Sequence, residues 1–410
     1  MAERIKFNPR SKKFQSNPYD IYRQLRINEP VSKVGGNWLI TKHNDIKNLL
    51  LNKNIQAIGA FHTYEKYIRD RQSPLPENVR NMLNNVLLLQ EEESHRMHKK
   101  ALMPLVTGIY MKELETIIEQ EVNIILNNIT GRSNIEIMSD IATKFWQKIF
   151  SQWLNLNDDQ LNFFVEAQKK VRPLLEAPGI LSFEDFNDGI EFLHRASVLC
   201  DAMLDEGQPL KNSLFYRALL SGYGNNHDEV KKNIFADIVN ILVATSETNE
   251  SLTGSFFLEL ACDNGLQNRL RREPQKIKLA INETMRLHSP VQITRRVATH
   301  SCRVGDSEIA AGDVLLLCLG SANRDEDAFF NADRFDIDRS NITRHIGFST
   351  GLHNCLGQQL AIKQMDILCH AFLQRFPSFT VSSPVVWQTE NLVLRSLKTL
   401  NVKFEQTLIS

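Results

Sequence analysis

Apolar residues recur at helical spacing over most of the chain and at strand spacing over a small part of it. Pro18 to Leu25 reads as a short amphipathic helix. Trp38 to Thr41, after the turn at Gly35-Gly36-Asn37, reads as a strand, and Asp45 to Leu51 is helical again. From Ile55 to Gln90 the pattern is irregular, with Pro74, Pro76 and several Asn. Two alternatives stand there, a loop region over a pocket and a solvated connection. Glu91 to Lys100 opens a helix with acidic residues at its N-terminus, where the macrodipole favours them. Between Lys112 and about Leu204, helices alternate with breaks near Gly131, at Asn155 to Asp159 and from Pro173 to Gly179, where Pro178-Gly179 marks a turn. The longest helical candidate is Asp228 to Cys262. Its stretch from Ile234 to Ala244 reads as apolar all round, which predicts burial.

Into that helix the sequence inserts Thr245-Ser246-Glu247-Thr248-Asn249-Glu250, before apolar residues resume at Leu252, Phe256, Phe257 and Leu260. Polar groups inside a buried helix need partners, so the insert is a functional candidate. A further helix carries Glu283 and Arg286 three residues apart, close enough to pair, and ends at Pro290. Short strands follow at Gln292 to Thr294, Arg296 to Thr299, Ser307 to Ala310 and Val314 to Leu319. A polar coil from Asn323 to Asn341, a helix from Leu356 to Phe376 and a last strand at Asn401 to Phe404 complete the chain. The expected class is mainly α with a minor β portion. With no internal repeat or low-complexity linker, a single domain over residues 1–410 is expected.

Composition changes the picture by exclusion. With 48 basic and 48 acidic residues the formal net charge is zero, so nucleic-acid binding has no electrostatic support. The six cysteines form neither a CxxC pair nor a zinc-type spacing, which fits a reducing, cytoplasmic setting. No apolar signal segment opens the sequence and no run is long enough to span a bilayer. A soluble protein without membrane contact is expected.

One cysteine stands apart. In Phe348-Ser-Thr-Gly351-Leu-His353-Asn-Cys355-Leu-Gly357 it lies in a glycine-punctuated loop just ahead of an apolar helix. The glycines let the backbone turn and approach a flat ligand, and the helix N-terminus can stabilise a sulfur anion. On these residues alone, a thiolate under a metal cofactor and a buried structural cysteine remain alternatives.

The chain resembles the cytochrome P450 family of haem–thiolate monooxygenases, in its soluble bacterial form, from Pro18 to Phe404. The signature Phe-x-x-Gly-x-(His/Arg)-x-Cys-x-Gly is matched at Phe348, Gly351, His353, Cys355 and Gly357, and the Glu-x-x-Arg pair at Glu283 and Arg286. The segment Asp333 to Asp336 is similar to the one whose arginine, here Arg334, completes that ion-pair network. Ala244-Thr245-Ser246-Glu247-Thr248 is similar to the Ala-Gly-x-(Glu/Asp)-Thr oxygen-activation motif. The resemblance implies a long central helix over haem, with small β-sheets at one side. It implies haem b with Cys355 as iron ligand, its propionates held by His95, Lys99, Arg296 and His353, and packing by Ala244. It implies O2 as co-substrate and Glu247 and Thr248 as proton-relaying residues on a helix that opens locally.

The implied reaction is hydroxylation or epoxidation of a small organic substrate, secondary metabolites among the candidates. Electrons would come from NAD(P)H through a separate ferredoxin and ferredoxin reductase, docking on a face that includes Lys99, Lys100, Arg344 and Lys363. A peroxide-using, coupling or rearranging haem–thiolate enzyme and a non-catalytic haem-binding protein are the alternatives. The expected substrate pocket draws on Ile55 to Leu89, Pro173 to Leu181, Asn240, Val243, Ala244, Val291 to Thr294 (Val291 and Ile293 above all) and Leu392-Val393. Departures from the family pattern are Lys99 for Arg, Thr245 for Gly, Ser301 for Asp, Ser349 for Gly, and Ile362 and Gln364 for Arg and Glu.

Overall fold

Helices account for most of the chain. The computed structural model describes residues 5–58, 60–70, 74–176, 181–205, 208–389 and 393–405. These fall into two compact units. One comprises the described residues up to Gln56, then Val122–Lys144, then Glu247 onward; the other comprises Ala57–Glu121 and Phe145–Ser246. The boundary between Ser246 and Glu247 lies inside the longest helix, His227–Cys262.

The first unit holds the sheets. The largest has the strand order Val31–Val34, Asn37–Ile40, Val314–Leu317, Thr294–Ala298, Ile55–Gln56. Its one parallel pairing sets Trp38 opposite Leu315 and Ile40 opposite Leu317. Ile40, Leu315 and Leu317 then bury against Ile46, Leu49 and Leu50 of the helix His43–Leu51. The residues expected as two strands around Gln292 and Arg296 form one, Thr294–Ala298. In the same unit the helix Gln358–Arg375 buries Leu360, Gln364, Leu368, Cys369 and Phe372, a stripe at helical spacing. Phe372 meets Phe257 edge-on with ring centroids 4.7 Å apart, so this helix is packed against the long one.

The second unit is helical. Its helices Asp158–Glu176 and Phe183–Met203 flank residues 177–180, so the expected turn at Pro178-Gly179 lies outside the described residues. Pro173, expected near a break, sits in the last turn of the first of these, where it removes one i→i−4 hydrogen bond and the helix ends three residues later. The stretch read as irregular is largely helical, with helices Ala60–Asp70 and Glu77–Asn85 and a single 3-10 turn at Leu87–Leu89. Val79, Met82 and Leu83 do bury at positions i, i+3 and i+4, but intervening asparagines of poor helix propensity mask that spacing. The long helix starts where expected because the Asn226 side chain accepts the N–H groups of Asp228 and Glu229, with both acids in the first turn.

Among the described residues no helix is long and apolar enough to cross a membrane.

Candidate active site

The cysteine loop is built by backbone geometry. Ile346 accepts the Ser349 N–H at 2.9 Å, Gly351 accepts the Asn354 N–H at 3.2 Å, and Phe348 accepts the Cys355 N–H at 2.9 Å, closing the loop. Ser349 and Gly351 both adopt left-handed backbone, φ 59° and 74°. A Cβ at Gly351 would sit 2.3 Å from the Leu50 carbonyl oxygen, so only glycine fits that crossing. Cys355 is exposed, whereas Cys200, Cys318 and Cys369 are buried and burial pushes their thiols up. Two residues beyond it, Gly357 caps the helix Gln358–Arg375 without a side-chain hydrogen bond. A sulfur held ahead of a helix N-terminus is stabilised as its anion.

On the long helix, Asn240, Val243, Ala244, Glu247 and Thr248 follow at i, i+3, i+4, i+7 and i+8. All are exposed or half-buried, while Ile241, Leu242 and Ser246 between them are buried. The polar insert therefore presents a stripe. The helix runs through it without interruption rather than opening locally. Thr245, in place of the usual glycine, donates its hydroxyl to the Ile241 carbonyl at 2.7 Å, a bond internal to the helix. Next to Thr248, Asn249 donates to Gln364 at 3.3 Å and Thr253 to Met365 Sδ at 3.2 Å, which tie this part of the helix to the one that follows Cys355.

The four residues expected around haem propionates lie in both units. His95 is buried and Lys99 half-buried, one turn apart on the helix Glu92–Leu102. Arg296 is buried in the largest sheet, donating to Thr294 Oγ1 at 3.0 Å and the Arg295 carbonyl at 2.7 Å, and His353 is half-buried in the cysteine loop. Of the expected pocket residues, Val291 and Val393 are brought together. Val291 pairs with Leu394 in a β-bridge, and the Gln292 N–H donates to the Val393 carbonyl at 2.7 Å. Leu392 lies outside the described residues. Ile293 is a correction: its side chain packs in a core cluster with Phe14, Tyr22, Leu25 and Leu39, whereas Val291, just ahead of the strand Thr294–Ala298, packs against a different cluster that includes Ile40 and Leu317.

Two further corrections concern charge. Glu283 and Arg286 are fully buried and pair at 2.7 and 2.8 Å, but the third side chain is Arg339, 3.3 Å from Glu283. Arg334 is exposed and contributes its carbonyl, which accepts from Arg286 at 3.0 Å. The long helix is also not apolar all round. Asp237, fully buried, accepts from Tyr223 at 2.9 Å and lies 2.6 Å from His98 Nε2, while His98 Nδ1 meets Gln90 Oε1 at 2.9 Å. The signal was present as one acid in an apolar run, three residues before Asn240, with a histidine on the helix that carries His95.

A helix-dominated fold with an exposed, loop-held cysteine ahead of a helix, a buried Glu–Arg pair and an acid–alcohol pair on a long helix defines the haem–thiolate class. The family model for Cytochrome P450 matches residues 50–404, and the chain belongs to that family, whose members are monooxygenases. A "Cytochrome P450" of Bacillus subtilis (strain 168) is 26% identical over 96% of each chain. Linalool 8-monooxygenase of Pseudomonas putida is 24% identical, over 95% of this chain and 96% of that one. The structure of P450BioI in complex with hexadec-9Z-enoic acid ligated acyl carrier protein superimposes with a TM-score of 0.83 at 23% identity. It covers 96% of this chain and all of that one, and supports the fold.

The residues fit the haem that the family implies. The exposed sulfur stands at a helix N-terminus, the Leu50 carbonyl leaves no room for a side chain at Gly351, and His95, Arg296 and His353 are present together with Lys99, a cation in place of the usual arginine.

Proposed function

We propose that the chain acts as one domain that holds haem b through Cys355 and inserts one oxygen atom from O2 into a small organic substrate. The bound cofactor would supply O–O bond cleavage, favoured by electron density from the thiolate. The protein's own residues do the rest. The Leu50 carbonyl and the turn at Gly351 fix the loop that presents Cys355, and Phe348 closes it. His95, Lys99, Arg296 and His353 bind the propionates; Lys99 neutralises charge without the bidentate fork of an arginine. Glu247 and Thr248 carry protons to the reacting centre, a task that needs an acid and a hydroxyl on one helical face. Asn249, next to Thr248, donates to Gln364 and ties that segment to the helix that follows Cys355.

Electrons come singly from NAD(P)H through a ferredoxin and its reductase, in a cytoplasmic setting. The proposed substrate-pocket residues, Val243 and Ala244 of one unit and Val291 and Val393 of the other, are all apolar, which suits an apolar substrate. The names of two relatives, one acting on linalool and one bound to an acyl carrier protein, support an organic substrate rich in hydrocarbon. Retention of both Glu247 and Thr248 supports O2 over peroxide.

The observation that carries this reading is the exposed Cys355 in its glycine-turned loop. Reduced, haem-loaded protein under carbon monoxide tests it. The red-shifted Soret band of thiolate-ligated haem is expected and should vanish in Cys355→Ala; a band that survives the substitution overturns the ligand. Replacing Thr248 by Ala should leave that band in place while reduction of O2 uncouples from product formation.

A further inference from the structure

Asn240 is the one polar residue on the stripe between Asp237 and the oxygen-activation residues, and its amide is half committed. The Leu87 backbone N–H donates to Asn240 Oδ1 at 2.9 Å. A backbone N–H is only a donor, so this bond fixes which end of the amide faces Leu87. The other end, Nδ2 with its two N–H groups, is buried and has no hydrogen-bond partner among the described residues. Leaving such a donor unsatisfied is unfavourable, and a site built this way discriminates against ligands that lack the complementary group.

The surroundings say which ligand. Val243 and Ala244, one turn along the same stripe, are apolar and less buried than their neighbours, with Glu247 and Thr248 a turn further. At 1.5 Å per residue, Asn240 and Thr248 are about 12 Å apart along the axis. We infer that the substrate is an elongated, mostly apolar molecule with a hydrogen-bond acceptor oxygen that Asn240 Nδ2 binds, remote from the carbon that is oxidised. The acceptor class comprises carbonyl, ether and ester oxygens. Asn240 also keeps a wall in place, because Leu87 begins the Leu87–Leu89 turn, and the following Gln90 is fastened through His98 to Asp237.

This inference rests on the proposed oxygenase reading, and the test separates the two. Calorimetric titration of the haem-loaded protein with 2-decanone and with decane reads binding without catalysis. The carbon monoxide spectrum of the same sample reads thiolate ligation on its own. The ketone is expected to bind about tenfold more tightly, the value of one good hydrogen bond. Asn240→Leu should erase that difference while leaving decane unchanged. Asn240→Ser, a smaller change that keeps a donor, guards against misfolding and should retain part of the preference. A wild-type protein with no ketone preference, as when water satisfies the amide, overturns the inference. So does a preference that survives in Asn240→Leu, or an equal loss for both probes, which would leave Asn240 only as the wall's anchor.

Discussion

Two left-handed residues in the cysteine loop, two positions apart, show how differently a position can be determined. Gly351 has φ 74° and the Leu50 carbonyl where a side chain would be, so Gly351→Ala combines backbone strain with a clash of backbone atoms. Loss of haem-loaded protein is expected, read as the ratio of Soret to protein absorbance. Ser349 has φ 59° and a buried hydroxyl without a partner among the described residues. Here a side chain is tolerated at a penalty. Ser349→Gly should therefore stabilise the protein by about 1 kcal/mol in thermal unfolding, with the carbon monoxide spectrum unchanged. The glycine pattern made Gly351 legible in the sequence, because a required glycine leaves a mark in spacing. The strain at Ser349 was not legible as such, since a departure from pattern does not say whether the backbone moved or the residue bore the strain.

At the scale of elements, charges buried between helices decide more than surface pairs. Glu283 and Arg286 share a helix and were legible as a pair three residues apart. Arg339 was not, because its place beside Glu283 depends on how a long coil folds back. Glu283→Ala would strand Arg286, whose remaining bonds run to the carbonyls of Asn323, Ala332 and Arg334, and should cost about 3–5 kcal/mol in urea unfolding. Arg339→Ala, which leaves the pair intact, should cost clearly less. The His98–Asp237 pair gives a parallel case. Gln90 Nε2 donates to the Asn84 carbonyl, so Gln90 Oε1 faces His98 Nδ1, and that nitrogen carries a hydrogen. His98 Nε2 then lies 2.6 Å from the buried Asp237, whose carboxyl burial pushes up. Asp237→Leu alone should destabilise by about 3 kcal/mol. The double replacement with His98→Leu should recover much of it, a coupling that a double-mutant cycle measures directly. Helix positions were thus largely readable from periodicity, whereas the partners of buried charges were not, because they come from other elements.

For the whole molecule, acid sets stability and charge moving in opposite directions. The chain has zero net charge with its 11 histidines neutral, so acidification from pH 7 first adds positive charge through them. Growing net charge favours solubility while straining the compact state. His345 adds a specific penalty. Its ring, close to Phe348 at the entry to the cysteine loop, accepts the Gly347 N–H at Nδ1 and lies 3.2 Å from Asn282 Oδ1 at Nε2. Both contacts suit a neutral ring with its hydrogen on Nε2. Burial, with Arg286 and His43 nearby, pushes its pKa down to about 4. The folded state therefore resists a proton that the unfolded chain takes up near its ordinary value of about 6.5. Stability is full above that value and is lost as pH falls from about 6.5 towards 4, by about 3 kcal/mol from this residue. Asp338, held down to about 2 mainly by its hydrogen bond from Arg269, acts in a lower window and does not overlap. Urea midpoints between pH 7 and pH 4 should fall steadily. His345→Gln, which cannot titrate, should flatten that fall by roughly the same amount, and an unaltered slope would show that the loss arises elsewhere.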